Sequence, residues 1–286
     1  MRLSAGMIAT LKKRERGICL DGKPVTVRCP LTPPCVLELA VEDTEEDKNP
    51  FMEPEALPLA IVYEDEGLVA LNKPPYMPTH PSLGHRSGTL ANALAYHSQQ
   101  TREVPFVFRP INRLDRDTSG VVLCAYDRVT AARYGGLLTE GAFQKTYVAV
   151  VHGTVEGTGY IEVPIRRAQA SIILRQTCSA EDEGAEWART EYRAVATDGE
   201  LSVLLVTPVT GRTHQIRVHM ASVGHPIVGD RLYGAPSDEM PRQALHAWRL
   251  TVTDGEERKS FCAPVPEDIR ALVALHLPQF NWEDLL

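Results

Sequence analysis

The sequence predicts an α+β fold, with a mostly antiparallel mixed sheet, flanking helices and a small N-terminal α+β appendage. Short runs of β-forming residues outnumber the helical patterns along the chain. The two kinds of segment also do not alternate as a doubly wound parallel sheet requires. The 286 residues, 43% of them hydrophobic, are enough for one large domain with its own core.

Residues 1–41 predict the appendage. A helix is expected from Ser4 to about Arg16, followed by a β-type run at 18–27. That run contains Asp21-Gly22, a dipeptide typical of a tight hairpin turn. A further short strand is expected within 36–41.

The segment 42–58 predicts an acidic linker, which leaves 59–286 as the main domain. It holds seven acids and one lysine, has three prolines and lacks apolar periodicity. The chain's net charge of −7 argues against a nucleic-acid partner, because lysine and arginine contacts to phosphates supply most of such affinity. Since the linker alone carries −6, the rest of the chain is near neutral and can present a basic cleft.

The main domain is expected to contain more strands than helices. The predicted strands are 59–64, 68–73, 120–127, 144–153, 189–197, 201–208 and 244–253. The predicted helices are 89–98, 129–140, 213–224 and 266–275.

Composition excludes several classes of protein. No apolar run approaches the length of a membrane span, and the N-terminus lacks the pattern of a signal peptide, so a cytoplasmic protein is expected. The six cysteines include no CxxC pair and are expected to be reduced and buried. His214 and His219 are five residues apart, not the four that would place two metal ligands on one helical face. No glycine-rich phosphate-binding motif follows a strand, so neither a metal nor a cofactor is expected.

The segment 108–127 has the highest density of candidate catalytic residues. Four charged residues precede a predicted strand and are therefore expected in a loop at its end: Arg113, Asp115, Arg116 and Asp117. Loops held by a rigid sheet are where catalytic groups concentrate. A surface turn with local ion pairs is the alternative interpretation.

The segment 206–230 joins a strand to a helix. Thr213 is the predicted N-cap of that helix and Gly224 its stop, while Ile216, Met220 and Val223 are expected to face the core. His214 and Arg217 are three residues apart and therefore point together beside the helix start. This pattern favours an anion there, either a phosphate or a carboxylate of the same chain.

The predicted strand at 144–153 places Lys145 and Tyr147 on one face, together with Ala149 and Val151. One end of the strand thus presents an ammonium and a phenol above small apolar groups. By itself, a tyrosine at such a position is most often a packing residue.

Five blocks of sequence, spread over about 59–270, resemble the RluA-type RNA pseudouridine synthases. The blocks are LAIVYEDEGLVALNKPPYMPTHPS, NRLDRDTSG, KTY, TGRTHQIRVHMASVGHPIVGD and ALHAWRL. The resemblance implies the pseudouridine synthase fold and an isomerase that needs no cofactor. Such an enzyme detaches uracil from ribose through nitrogen, turns it and rejoins it through carbon.

The resemblance also implies roles for individual residues. Asp115 corresponds to the essential carboxylate, Tyr147 to the active-site tyrosine, and Arg217 to the partner that forms an ion pair with Asp115. Arg113 resembles the residue that fills the gap left when the target uridine turns outward. The carboxylate would attack the sugar or the ring, or stabilise a cationic sugar, and these alternatives stay open.

The remaining predicted RNA contacts surround these residues. They are Arg116, Asn112, Lys145, Arg212, His214 and His80. Asn112 departs from the family, whose usual residue before the RLD triplet is histidine, so altered RNA contacts are expected there. The appendage resembles the alpha-L RNA-binding domain without its first helix, which implies weak RNA affinity of its own.

Structured RNA is the expected partner, with no membrane and no metal, and the protein is expected to act as a monomer. The appendage favours large-subunit ribosomal RNA as the substrate, with a transfer-RNA stem-loop as the alternative. Two rival functions are considered. A non-catalytic ribosome-assembly factor of the same fold would have lost its site residues. A glycoside hydrolase would use Asp115 and Asp117, yet these acids lie beside Arg113 and Arg116 and are expected to be charge-balanced.

Overall fold

The computed structural model describes residues 5–49, 52–82, 86–103, 105–169 and 171–285. Ser4, where the first helix was predicted to begin, lies outside these ranges, as do two residues of the predicted linker, 50 and 51. The chain forms two compact units, and each is described by itself. The first comprises Met1–Ala70, His80–Asn112 and Leu123–Gly141, and the second comprises Leu71–Thr79, Arg113–Val122 and Ala142–Leu286.

The first unit combines short strands with three helices. Its elements are α1 (Ala5–Leu11), β1 (Ile18–Leu20), β2 (Lys23–Pro24), β3 (Leu37–Leu39), a 3-10 turn (Glu45–Asp47), β4 (Ile61–Glu64), β5 (Leu68–Lys73), α2 (Leu90–Thr101), β6 (Arg109–Pro110), β7 (Ser119–Ala125) and α3 (Arg128–Thr139). Strands β5 and β7 contribute residues to both units. The appendage sheet has the order β2-β1-β3.

Local sequence explains where these elements begin and turn. The predicted hairpin turn is confirmed. Asp21 and Gly22 both have left-handed backbones, with φ of 48° and 76°, and the residues that flank them, Leu20 and Lys23, pair across the turn. Helix α2 begins at Thr89, whose side chain accepts a hydrogen bond from the backbone of Asn92. The first helix ends at Leu11, earlier than predicted, and is followed by turns.

The segment predicted as an acidic linker makes ion pairs within the first unit. Asp43 is nearly buried and accepts two hydrogen bonds from Arg109, at 2.6 and 2.7 Å, and one from Arg128 at 2.7 Å. Burial raises the pKa of Asp47, but hydrogen bonds from Thr44 and Arg128 outweigh it and lower that pKa to about 2. These carboxylates are therefore structural groups and not only a solvated charge run.

The second unit is built on a large sheet in the order β7-β14-β8-β13-β12-β9, with β15 paired to β14. Its elements are β8 (Phe143–His152), β9 (Thr158–Glu162), β10 (Ile165–Arg167), β11 (Arg175–Thr177), β12 (Arg189–Thr197), β13 (Leu201–Pro208), α4 (Gln215–Ser222), β14 (Leu245–Asp254), β15 (Glu257–Cys262), α5 (Glu267–His276) and a 3-10 turn (Trp282–Leu285). The pairing of β7 with β14 is parallel, whereas β8, β9, β12, β13, β14 and β15 pair antiparallel. The predicted α+β class with a mostly antiparallel sheet is confirmed. The sequence patterns missed β9, β10, β11 and β15.

Helix α4 positions the candidate site and lies against β11, β12 and β13. Ile216 and Met220 are buried as predicted, but Val223 is exposed, so its assignment to the core was wrong. The N-cap is His214 and not Thr213, which was the second wrong prediction for this helix. Gly224 follows the helix with φ of 85°, the left-handed stop that was predicted. Among the described residues, no helix is long and apolar enough to cross a membrane.

Candidate active site

The loop that precedes strand β7 carries Asp115. All seven residues of β7 are buried, so the strand gives the loop a rigid end. The backbone N–H of Thr118 donates to the carbonyl oxygen of Asp115 at 3.1 Å and closes a tight turn. The Asp115 side chain is 27% exposed, so its carboxylate is both anchored and accessible.

Arg217, on the first turn of α4, joins Asp115 to a second carboxylate. Its Nη1 donates to Asp115 Oδ2 at 3.1 Å, which is the ion pair expected between these residues. Its Nε and Nη2 donate to the two oxygens of Asp230 at 2.7 and 2.8 Å. Both side chains of this second pair are buried, since Arg217 is 6% and Asp230 1% exposed. The bidentate contact fixes the plane of the guanidinium and directs its remaining edge at Asp115.

Two glycines allow backbones to approach one another beside the site. Gly120, just after the loop that carries Asp115, has φ of 116°, and a Cβ there would lie 2.2 Å from the carbonyl oxygen of Ala247. Gly229, just before Asp230, has φ of 72°, and a Cβ there would lie 2.2 Å from the carbonyl oxygen of Arg242. Any other residue would displace the strand or the turn that holds a site carboxylate.

His214 and Tyr233 complete the surroundings of Asp115. His214 adopts a left-handed backbone at φ of 56°, which turns its ring toward the site at the start of α4. Its Nδ1 lies 2.8 Å from the Tyr233 hydroxyl, and its Nε2 lies 3.7 Å from Asp115 Oδ2. Burial lowers the pKa of His214 despite the charge of Asp115, so the imidazole is neutral at pH 7. The Arg217 guanidinium also lies over the Tyr233 ring, 5.1 Å from its centroid.

Tyr147 lies on β8, opposite Val206 and Ala247 on the neighbouring strands. Its side chain is almost fully buried. Burial raises the pKa of its phenol, and the nearby charge of Asp115 raises it further, so the phenol keeps its proton at neutral pH. Lys145, two residues earlier, has its pKa lowered by burial.

The other predicted RNA contacts occupy different surroundings. In the second unit, exposed Arg113 donates to the Thr213 hydroxyl at 3.3 Å and has no carboxylate partner among the described residues. Arg116 pairs with Asp117 at 2.8 Å, as expected for a charge-balanced loop.

Arg212 forms an ion pair with Glu186 at 2.8 Å. His80 and Asn112 belong to the first unit. There the His80 ring packs edge-on against Phe108, and Asn112 accepts a hydrogen bond from the backbone of Leu123.

Sequence reasoning missed Asp230, Tyr233 and Lys73. Asp230 is the last residue of the block TGRTHQIRVHMASVGHPIVGD, and Tyr233 lies just beyond it, but no local motif marks either as a site residue. Lys73 lies in the NKPP run of the first block, and its fully buried ammonium donates to three backbone carbonyls. Burial lowers the pKa of Lys73 to about 7. Because a neutral amine has two N–H donors and an ammonium has three, one of the three hydrogen bonds is sensitive to pH near neutrality.

No metal site accompanies these residues. Over the part of the chain that the structure describes, no group of three or more His, Cys, Asp or Glu side chains could hold a metal ion.

The chain is similar to known proteins in both sequence and fold. The profile of the RNA pseudouridylate synthase family matches residues 67–222. The Bacillus subtilis protein named "Uncharacterized RNA pseudouridine synthase YjbO" is 36% identical over 95% of this chain and 94% of its own length. The ribosomal large subunit pseudouridine synthase D of Nitrosomonas europaea is 35% identical, over 80% of this chain and 68% of that protein.

Solved structures agree with the sequence comparisons. The structure of human RNA pseudouridylate synthase domain containing 1 is 28% identical and has a TM-score of 0.60, covering 74% of this chain and 86% of that one. The fold and the site thus define an isomerase of RNA. The chain belongs to the RNA pseudouridylate synthase family, and the resemblance seen in its motifs is confirmed.

A buried histidine in contact with Ser119, next to the loop that carries Asp115, predicts that the fold is sensitive to acid. His246 Nδ1 lies 2.9 Å from the hydroxyl of Ser119, and its Nε2 lies 3.2 Å from the carbonyl of Ala263. Burial lowers its pKa to about 4. Because an unfolded histidine titrates near pH 6.5, the unfolded chain takes up the proton first. The stability that His246 provides is complete above about pH 6.5 and is lost as pH falls through about 4, with a loss of about 2 kcal/mol by pH 5.

Urea unfolding between pH 7.5 and 4.5 measures this effect. The wild type should lose stability over that range more steeply than His246→Gln. His276 is the control, because its hydrogen bond to Glu239 raises its pKa and its contribution is lost as pH rises. His276→Gln should therefore lose stability toward acid at least as steeply as the wild type. Equal acid slopes in the wild type and His246→Gln would contradict the assignment.

Proposed function

We propose that Asp115 is the nucleophilic carboxylate of this RNA pseudouridine synthase, with Arg217 as its counter-charge and Tyr147 as the surface beneath the uracil. The observation that carries the proposal is the 3.1 Å contact between Arg217 Nη1 and Asp115 Oδ2, in a loop that leaves the carboxylate accessible. In this family's reaction the bond from ribose C1′ to uracil N1 breaks, and a bond from C1′ to C5 forms. The proton of C5 leaves to water and uracil N1 takes up a proton from water, so atoms and electrons balance without a co-reactant.

One oxygen of Asp115 is available to the substrate. Oδ2 accepts the hydrogen bond from Arg217, whereas Oδ1 accepts none from the residues that the structure describes. Attack on ribose, attack on the uracil ring and stabilisation of a cationic sugar all need a free carboxylate oxygen beside the nucleoside. The Arg217 guanidinium places a positive charge beside that carboxylate in a partly buried site.

Tyr147 is suited to contact the uracil that has turned out of the RNA, and Arg113 is suited to fill the gap that it leaves. A protonated phenol on a buried strand offers a flat, uncharged face on which uracil can stack. Arg113 is exposed and free of a carboxylate partner in the described chain, so it can enter the gap left in the RNA. Arg116 and Arg212 have exposed ion pairs, which are weak enough to exchange for phosphate contacts. Asn112, Lys145, His214 and His80 complete the proposed contacts.

We infer that the substrate is large-subunit ribosomal RNA, modified in the cytoplasm by a monomer. Several relatives carry the name ribosomal large subunit pseudouridine synthase D, including those of Nitrosomonas europaea and Pseudomonas aeruginosa. The appendage of α1 and β1–β3 supports the same choice through its resemblance to the alpha-L domain. Transfer RNA is the alternative substrate.

Replacing Asp115 by Asn should abolish turnover without releasing RNA. The amide keeps the shape of the carboxylate but is not a nucleophile. We expect the rate of tritium release from RNA labelled at uridine C5 to fall by about 10³-fold or more, with RNA affinity retained.

Asp117→Asn is the matched control, since Asp117 lies two residues away and pairs with Arg116. It should keep most of the activity, whereas an enzyme that used both carboxylates would lose activity in either variant. Substantial turnover by purified Asp115→Asn would refute the nucleophile assignment.

The substrate is tested by mapping pseudouridines in total RNA from cells with and without the gene. The proposal predicts that one or more sites disappear from large-subunit ribosomal RNA and that restoring Asp115→Asn does not bring them back. Loss of pseudouridines from transfer RNA alone would establish the alternative substrate. A map with no pseudouridine lost from either RNA would contradict both substrate assignments.

A further inference from the structure

The catalytic loop, residues 113–118, precedes β7 and carries Asp115. Its backbone is held by donors that lie mostly outside the loop. Each of four successive carbonyl oxygens accepts a hydrogen bond. The pairs are Leu114 with the Thr79 hydroxyl, Asp115 with the Thr118 N–H, Arg116 with the Lys73 ammonium, and Asp117 with the Arg242 guanidinium. These hydrogen bonds from neighbouring parts of the second unit therefore fix the backbone that positions the Asp115 carboxylate.

Arg242 is the most extensively bonded of these donors. Its side chain is fully buried, and its Nη1 lies 3.1 Å from the carbonyl oxygen of Asp117. The same nitrogen lies 3.2 and 3.3 Å from the carbonyl oxygens of Gln243 and Leu245. One guanidinium thus joins the catalytic loop to the start of strand β14. A lysine could supply the charge at this position but not the planar set of donors.

Asp268 orients this guanidinium. It accepts from Arg242 Nε at 2.7 Å and from Nη2 at 2.9 Å, a bidentate contact that leaves Nη1 for the loop. Asp268 lies on the first turn of α5, which buries Ile269 and Leu272. Arg242 and Asp268 both lie beyond residues 67–222, the part of the chain that the family profile matches.

We propose that Arg242 and Asp268 form a positioning pair through which helix α5 fixes the catalytic loop and keeps Asp115 against Arg217. The pair touches no substrate and acts through the Asp117 carbonyl, two residues from the reacting carboxylate. Without the Arg242 guanidinium, the carbonyl oxygen of Asp117 loses its hydrogen-bond donor, and the loop relaxes toward other donors. A displacement of about 1 Å at a reacting group can lower the rate by about 10²-fold, so the effect falls on the chemical step. This inference rests on the proposed role of Asp115.

Arg242→Lys and Asp268→Asn test the pair in the full chain. The probe is a large-subunit ribosomal RNA transcript labelled with tritium at uridine C5. We expect kcat to fall by about 10²-fold in Arg242→Lys and by about 10-fold in Asp268→Asn, with KM within about twofold of the wild type. Asp268→Asn is isosteric and its side chain is partly exposed, so it decides the matter if Arg242→Lys does not fold.

The matched control is His276→Gln on the same helix. His276 contacts Glu239 at 2.8 Å and Asp198 at 3.4 Å, so the substitution removes the other ionic contacts of α5 without reaching the loop. Its kcat should equal that of the wild type. A role confined to stability would lower the melting temperature in all three variants without a selective loss of kcat.

Wild-type kcat in folded Asp268→Asn would overturn the inference, and so would an equal loss of kcat in His276→Gln. These outcomes differ from failure of the proposed function. If Asp115→Asn keeps turnover, the nucleophile assignment fails whatever the pair does. If Asp115→Asn is inactive while Asp268→Asn behaves as the wild type, only the positioning role is lost.

Discussion

The rest of the site depends on the three hydrogen bonds that the Arg217 guanidinium donates to Asp230 and Asp115. A guanidinium is rigid and planar, so two hydrogen bonds to Asp230 determine where its third donor points. That donor meets Asp115. Because Asp230 is buried, the contact is not exchanged for water, whereas Asp115 stays accessible to a nucleotide. Breaking such a buried pair by removing one partner typically costs about 3 to 5 kcal/mol, so geometry and stability are linked here.

The loop that carries Asp115 is as constrained as the arginine that it meets. Buried Lys73 and Arg242 donate to adjacent carbonyls of the loop, and Gly120 allows strand β14 to approach closely just after it. Pre-organisation of this kind positions the proposed nucleophile before the substrate arrives, and much of an enzyme's rate advantage arises from such positioning. The strained backbone of His214 fits the same pattern, since its left-handed turn brings the ring beside the Asp115 carboxylate.

Contiguous patterns in the sequence predicted most of the fold, but contacts between distant residues were only partly predictable. The runs of β-forming residues at 189–197 and 201–208 predicted the bounds of β12 and β13 directly, and Asp21-Gly22 predicted the hairpin turn. The short strands β10 and β11 have three residues each and carry no periodic signal, so they were missed. Thr213 was a reasonable N-cap by residue type, yet the chain uses a left-handed His214 to serve the site.

The same limit applied to the site. Asp115 and Arg217 were predicted because the motifs that contain them are local, although the contact joins residues far apart in the chain. Asp230 was missed because its importance comes only from the guanidinium that it holds. Arg242 and Asp268 were missed because an ion pair between the segment before β14 and helix α5 leaves no pattern in either segment. Partners that act on a catalytic group through another residue become visible only in three dimensions.

Arg217→Lys tests the central claim most directly, because it keeps the positive charge and removes the planar set of guanidinium donors. The measurement is the rate of pseudouridine formation at saturating RNA, with folding checked by circular dichroism. If the geometry of the guanidinium positions Asp115, this rate falls by about 10²-fold while RNA affinity changes little. A folded variant that works at the wild-type rate would show that charge alone is sufficient and would contradict the account.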